Sequence, residues 1–276
     1  MTMKIAFVRA LIISKALFLV SCCFSQQLIP WEDIHDINNR ILAQSPTTKT
    51  DGPIEVEKWF DSNSREYPSD YRIMFVLKEA YGNDTICRDL TEYRRNPNEN
   101  SIMDMDAKEG RPTYRPMVTI ANMLVNEMHY YEIDPTTRDA YTLFKECSAI
   151  VEIKKEYGKS QSDDNIIKDH ARKNKSIIYK QVEIYNPNVV ILCLNNLLDG
   201  IFVNQEVGGY EVLGDQVPGA NIKTIRVNGK EFYCYYNDKR IFINAYHPSW
   251  WYLNKEEYCD EIVRVINEWI EEREDE

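Results

Sequence analysis

From residue 30 onward the apolar residues of the chain recur in two rhythms. In "WEDIHDINNRILAQ" (31–44) they return every three or four positions, which predicts an amphipathic helix, and "SPTTKTDGP" (45–53) breaks it. "YRIMFVLKEAYG" (71–82) is a short apolar run and predicts a strand ending in a loop. "RPMVTIANMLVNEMHYY" (115–131) is helical again, with Pro116 suited to a first turn. "CSAIVEIKK" (147–155) predicts a second strand. "SDDNIIKDHARKNKSIIYKQVEIYN" (162–186) predicts a long helix, with Ser162 as its cap and acids in its first turn.

"PNVVILCL" (187–194) is continuously apolar, as suits a strand covered on both faces. "TIRVNGKEFYCYY" (224–236) sets Asn-Gly between two alternating runs, a strong hairpin signal. "RIFINAYH" (240–247) predicts the last core strand, and "KEEYCDEIVRVINEWIEE" (255–272) a terminal amphipathic helix. Strands spaced by helices predict an α/β fold with three layers, αβα, around a central, mostly parallel, four-stranded sheet, plus a small β-hairpin. No internal repeat is visible. Residues 28–66 read as an N-terminal helical extension, and 67–276 as one domain.

Composition narrows the partners. Aromatic residues make up 12 % of the chain, so it is not disordered as a whole. A net charge of −11 argues against nonspecific coating of nucleic acid. The charge is uneven, however. Residues 255–276 hold three basic and ten acidic side chains, a net of −7, whereas 154–180 hold eight basic and four acidic, a net of +4. The seven cysteines form neither a CxxC pair nor a Cys/His cluster with zinc spacing, so no metal and no disulfide framework is expected.

The first 27 residues carry no acid and three bases, and 19–22 match a lipoprotein cleavage box ending at Cys22. Arg9 and Lys15 interrupt the apolar run that a secretory signal needs. Two readings stand: a signal or lipoprotein segment anchored at Cys22, or a start codon assigned upstream of the true one, with a cytoplasmic protein.

In a parallel α/β sheet, ligands bind outside the carboxyl ends of the strands. The first predicted strand delivers Lys78, Glu79 and Tyr81 there, the second Glu152, Lys154 and Lys155, and the last His247, Pro248 and Ser249. Each has a purely structural reading as well: Glu79 as a helix cap, the lysines as solvated charges, His247 as a histidine satisfied near the core. Together they put a carboxylate, a second polar group and an imidazole on one rim beside a basic segment.

Read in this order, residues 70–272 resemble the uracil-DNA glycosylase superfamily. "IMFVLKEAYG" is similar to its first motif, with Glu79 at the carboxylate and Tyr81 at the aromatic position. "EGRPTYRPMVTIANML" resembles the Gly-Arg-Pro-Phe stretch, "AIVEIKK" the strand that ends in Thr-Asn, "NPNVVILCLNNLLDGIF" the Pro-x-Val-Ile strand, and "HPS" the closing motif. The resemblance implies a flipped-out nucleotide and cleavage of the base–sugar bond. It assigns catalysis to Glu79, beside the cationic sugar, and to His247, a donor toward the leaving base. Tyr81, Tyr114 and Glu152 would bind the base. Lys154, Lys155, Lys159, Ser249, Trp250 and Trp251 would bind DNA, with the tryptophans and Leu253 where a wedge enters the base stack. The structural alternative packs the tryptophans beneath the terminal helix; one buried and one available indole is expected.

The departures bear on specificity. Glu152 stands where the superfamily reads the base with asparagine. An ionised glutamate only accepts hydrogen bonds, so a base offering two donors would suit it better than uracil. The motif's opening glycine is replaced by Leu77 or Lys78, depending on register. The cysteines of the iron–sulfur branch are missing, so no cluster and no other cofactor is expected. The expected function is a monomeric DNA glycosylase acting on a deaminated or damaged base in single- or double-stranded DNA, without a stable protein partner. The alternative is a protein of the same fold that binds a nucleobase or nucleic acid without catalysis.

Overall fold

The computed structural model describes residues 29–44, 50–61, 63, 71–81, 111–158, 163–250 and 252–274. The predicted elements form where their patterns place them, and several more join them. Helix α1 (Trp31–Leu42) is followed by the short strand β1 (Gly52–Pro53) and helix α2 (Val56–Phe60). Strand β2 (Ile73–Tyr81) leads to α3 (Arg111–Asn126), α4 (Arg138–Cys147), β3 (Ser148–Gly158) and α5 (Asp164–Tyr185). After β4 (Val189–Cys193) comes a meander of β5 (Val203–Glu206), β6 (Gly209–Val212) and β7 (Asp215–Pro218). The chain closes with β8 (Ile222–Val227), β9 (Lys230–Tyr236), β10 (Ile241–Ala245) and α6 (Lys255–Glu274).

The main sheet has seven strands in the order β1-β3-β2-β4-β10-β9-β8, and β5-β6-β7 form a separate antiparallel sheet. The predicted four parallel strands are its centre, β3-β2-β4-β10. The four-strand expectation is corrected at both edges. The predicted hairpin extends this sheet through β9 instead of standing apart, and β1 adds an antiparallel strand beside β3. The hairpin turn has φ 50° at Asn228 and 70° at Gly229, the left-handed pair that an Asn-Gly turn needs.

The two faces of the sheet bury different helices. Phe75 and Leu77 of β2, Ile191 and Cys193 of β4, and Ile243 and Ala245 of β10 pack with α3, α4 and α6. The alternate residues, such as Val76, Leu192 and Phe242, pack with α5 and the small sheet. Two local expectations shift. Asp163, not Ser162, caps α5, its carboxylate accepting from the N–H groups of Asn165 and Ile166. Pro116 lies in the second turn of α3, because that helix starts at Arg111.

Residues 28–66, expected as a helical extension, also supply the edge strand and a buried charge. Asp51 is 2 % exposed and Lys155 is 2 % exposed. The Lys155 ammonium donates to both Asp51 oxygens at 2.8 Å and to Gln181 Oε1 at 3.0 Å. Gln181 Nε2 donates to Asp51 Oδ1 at 2.7 Å, and the backbone N–H of Glu152 donates to Asp51 Oδ2 at 2.5 Å. Next to it Gly52 has φ 146°, and a Cβ there would lie 2.7 Å from the Tyr185 hydroxyl, so only glycine fits. Lys155 is therefore a core cation, which corrects its expected contact with DNA phosphate.

Removing one partner of a buried pair leaves the other charge uncompensated. Asp51→Ala is expected to lower the unfolding free energy by about 3–5 kcal/mol, read from denaturant midpoints, with a smaller loss for Gln181→Ala.

Candidate functional site

Side chains alternate along a strand, so the register of the parallel strands sorts the carboxyl ends into rows. Leu77 pairs with Glu152, Val76 with Leu192, and Ala245 with Cys193. Glu152, Leu77, Cys193 and Ala245 thus form one row across the face toward α3, α4 and α6. Two residues further along, Glu79 and Lys154 are register partners, while Asn195 and His247 follow Cys193 and Ala245. The backbone N–H of Asn195 donates to the Ala245 carbonyl at 2.8 Å, tying these last two columns together.

The upper row carries the chemistry. Lys154 Nζ lies 2.9 Å from Glu79 Oε2, and both side chains are largely buried. Lys78 points to the opposite face and donates to Asp164 in the first turn of α5 at 2.8 Å. His247 Nδ1 lies 2.7 Å from Ser249 Oγ and 3.3 Å from the Ser249 backbone N–H. A backbone N–H only donates, so Nδ1 is an acceptor and the neutral ring carries its proton on Nε2. Burial, then the charges of Lys78 and Lys255, lower the His247 pKa to about 4. Near pH 7 the imidazole is a neutral donor. Ser249, expected at DNA, instead orients this ring.

The lower row holds Glu152, 1 % exposed. Burial, and after it the charge of Glu152 two strands away, push the Cys193 thiol up. Tyr114, in the first two turns of α3, is half-buried and meets Phe144 edge-on at 6.4 Å. Strand β2 ends at Tyr81, whose side chain lies outside the described residues, as do Lys159 and Trp251.

The loop after His247 is held more firmly than a free wedge. Lys255 donates to the carbonyls of Pro248 and Trp250 at 2.7 and 2.6 Å, and Asn254 caps the start of α6. Trp250 stacks on Tyr246 with ring centroids 4.3 Å apart, and Leu253 is buried. Leu253, expected at the wedge, is packed inward instead, while Trp250 is only half-buried. Among the described residues of this loop, Tyr252, 53 % exposed, is an aromatic that faces outward.

Three features escaped the sequence analysis. His170 on α5 is half-buried and feels Glu156, Lys154, Lys173 and Glu79; burial lowers its pKa. Asn195 and Asn196 both have positive φ, 39° and 42°, and the buried Oδ1 of Asn195 has no hydrogen-bond partner among the described residues. Asn244 donates to Asn196 and Asp199 at 3.2 and 3.3 Å. The Asn-Asn pair directly after an apolar strand was the available signal, since asparagine tolerates left-handed backbone.

No group of His, Cys, Asp or Glu among the described residues could hold a metal ion, and no helix among them is long and apolar enough to cross a membrane. The N-terminal segment with Cys22 lies outside the described residues. Compared with protein-family models, curated proteins and solved structures, the chain matches none.

The His247 shift has a consequence for stability. Its folded pKa of about 4 lies below the ordinary 6.5, so the unfolded chain takes up the proton first. Its contribution is complete above pH 6.5 and is lost as pH falls toward 4. Relative to His247→Asn, the native protein is expected to lose on the order of 3 kcal/mol more over that range, measured by urea unfolding at stepped pH.

Proposed function

We propose that the chain is a DNA glycosylase of the uracil-DNA glycosylase type, hydrolysing the bond between a flipped-out base and its sugar. The observation that carries this reading is the neutral, Nε2-protonated His247 just beyond the carboxyl end of β10, in the same sheet whose parallel strand β2 carries Glu79 near its own carboxyl end. Parallel strands with helices on both faces, and the order of the motifs along them, also support it.

The chemistry follows from the charges that develop. As the C1′–N bond breaks, the sugar becomes cationic and the base anionic. Glu79 offers a fixed negative charge for the sugar and an acceptor that orients water. His247 donates from Nε2 to the leaving base without first having to lose a proton, and Ser249 holds the ring in that tautomer. Water's oxygen bonds to C1′ as the C1′–N bond breaks. The base leaves with the bonding pair and takes up one proton, so the products are a free base and an abasic sugar. No cofactor enters this scheme. Lys154 and Asn195, in the same row, would position Glu79 and the substrate.

One observation favours a second reading. The Glu79 carboxylate is already engaged by Lys154, which suits a protein that recognises a nucleobase without cutting.

An alkali-cleavage assay on labelled oligonucleotides separates the two. Base release by the native protein is expected to fall by roughly 100-fold or more in Glu79→Gln and in His247→Asn. Binding without release from any modified base would overturn catalysis and leave recognition.

A further inference from the structure

The lysines around the carboxyl ends of the strands differ in what holds them. Lys155 is locked in the core by Asp51, and Lys154 is largely buried against Glu79. Lys255 is held by the carbonyls of Pro248 and Trp250. Lys78 is held otherwise. Its ammonium donates to Asp164 at 2.8 Å, and that carboxylate side chain is 60 % exposed while the lysine side chain is 26 % exposed. An ion pair this open to water contributes little, because solvent screens it. Nor does Asp164 serve as the cap of α5, since Asp163 accepts from the N–H groups of Asn165 and Ile166.

The surroundings of Lys78 favour an anion. Beside it in register on β3 stands Ile153, buried and apolar, whose side chain offers the ammonium no second acceptor. The first turn of α5, a helix of 22 residues, adds the positive end of its dipole. The charge of Lys78 also reaches His247, where it helps, after burial, to lower the imidazole pKa. A negative group taken up by Lys78 therefore lies within electrostatic reach of the ring assigned to the leaving base.

We propose that Lys78 is an exchangeable phosphate anchor, holding Asp164 in the free protein and taking a phosphodiester of the substrate strand in its place. This rests on the glycosylase reading of the same site, and it names a backbone contact that Lys154 and Lys155, paired inside the fold, do not supply. The ammonium keeps an anionic partner in both states, so the exchange leaves no buried charge unpaired. Asp164 returns to water at little cost, because it is already largely hydrated. A free nucleoside carries no phosphate to displace Asp164 and gains nothing from this contact.

Fluorescence anisotropy with the full chain and a labelled oligonucleotide of unmodified bases tests the exchange in both directions and needs no base release. Loss of one phosphate contact in Lys78→Met is expected to weaken binding by roughly 5-fold at about 0.15 M salt. The slope of log affinity against log salt should shrink by about 0.9 on duplex DNA or about 0.7 on a single strand. Asp164→Asn is expected to tighten binding by roughly 2- to 5-fold, since the competing carboxylate is gone. Misfolding cannot produce such a gain, and it should vanish in the Lys78→Met background. Unchanged affinity and salt slope in Lys78→Met would overturn the anchor. So would an equal gain from Asp164→Asn with and without Lys78, or no oligonucleotide binding by either the native protein or Asp164→Asn. Calorimetric titration with inorganic phosphate separates a free phosphate from a strand. Binding that depends on Lys78 there, with no such dependence for the oligonucleotide, would overturn the assignment to a strand. Anchoring without base release in the alkali-cleavage assay supports the anchor and sinks only the glycosylase reading.

Discussion

The buried pair between Asp51 and Lys155 is the constraint on which the end of β3 depends. An ammonium inside a protein core needs a partner and further hydrogen bonds, and residues 50–53 dock beside β3 to supply them. Asp51 takes the N–H of Glu152, the bond a neighbouring strand would otherwise make. With Lys155 committed to the α5 face, parity sends Glu152 and Lys154 to the other. A slip of one residue would exchange those faces and take the site apart.

A second constraint is electrostatic. The segment 154–180 reads as a basic patch when its charges are counted, yet much of that charge meets acids within the fold. Lys154 faces Glu79, Lys155 faces Asp51, Arg172 meets Asp169 and Lys180 meets Glu183. His247 is kept neutral first by its burial and then by the nearby charges of Lys78, itself paired with Asp164, and Lys255. A count of charges along a chain measures a field only where the charges are not already paired.

The loop after β10 shows the same difference between residue type and residue setting. Two adjacent tryptophans suggest a wedge because exposed indoles are unusual. In the folded chain Trp250 lies flat on Tyr246, and Lys255 ties the loop carbonyls to the first turn of α6. Among the described residues, Tyr252 is a nearby aromatic that does face outward, and no motif announces it.

Much of the architecture was legible in the chain. The apolar runs of β2, β4 and β10, the long period of α5 and α6 and the Asn-Gly turn are local patterns, each set by neighbours a few residues apart. The meander 203–218 was not legible, because its strands are short and their outer positions exposed. They are held by pairing and by packing beside α5, where the Tyr179 hydroxyl donates to Glu211. What the sequence determined by itself was which residues stand at the strand ends: Glu79, Glu152, Lys154 and His247. What only the tertiary structure decided was their state: a carboxylate joined to its register partner, an imidazole left neutral, one lysine at the rim and its neighbour in the core. Those outcomes depend on partners such as Asp51 and Lys155, brought together across 104 positions of chain, and local periodicity carries no record of them.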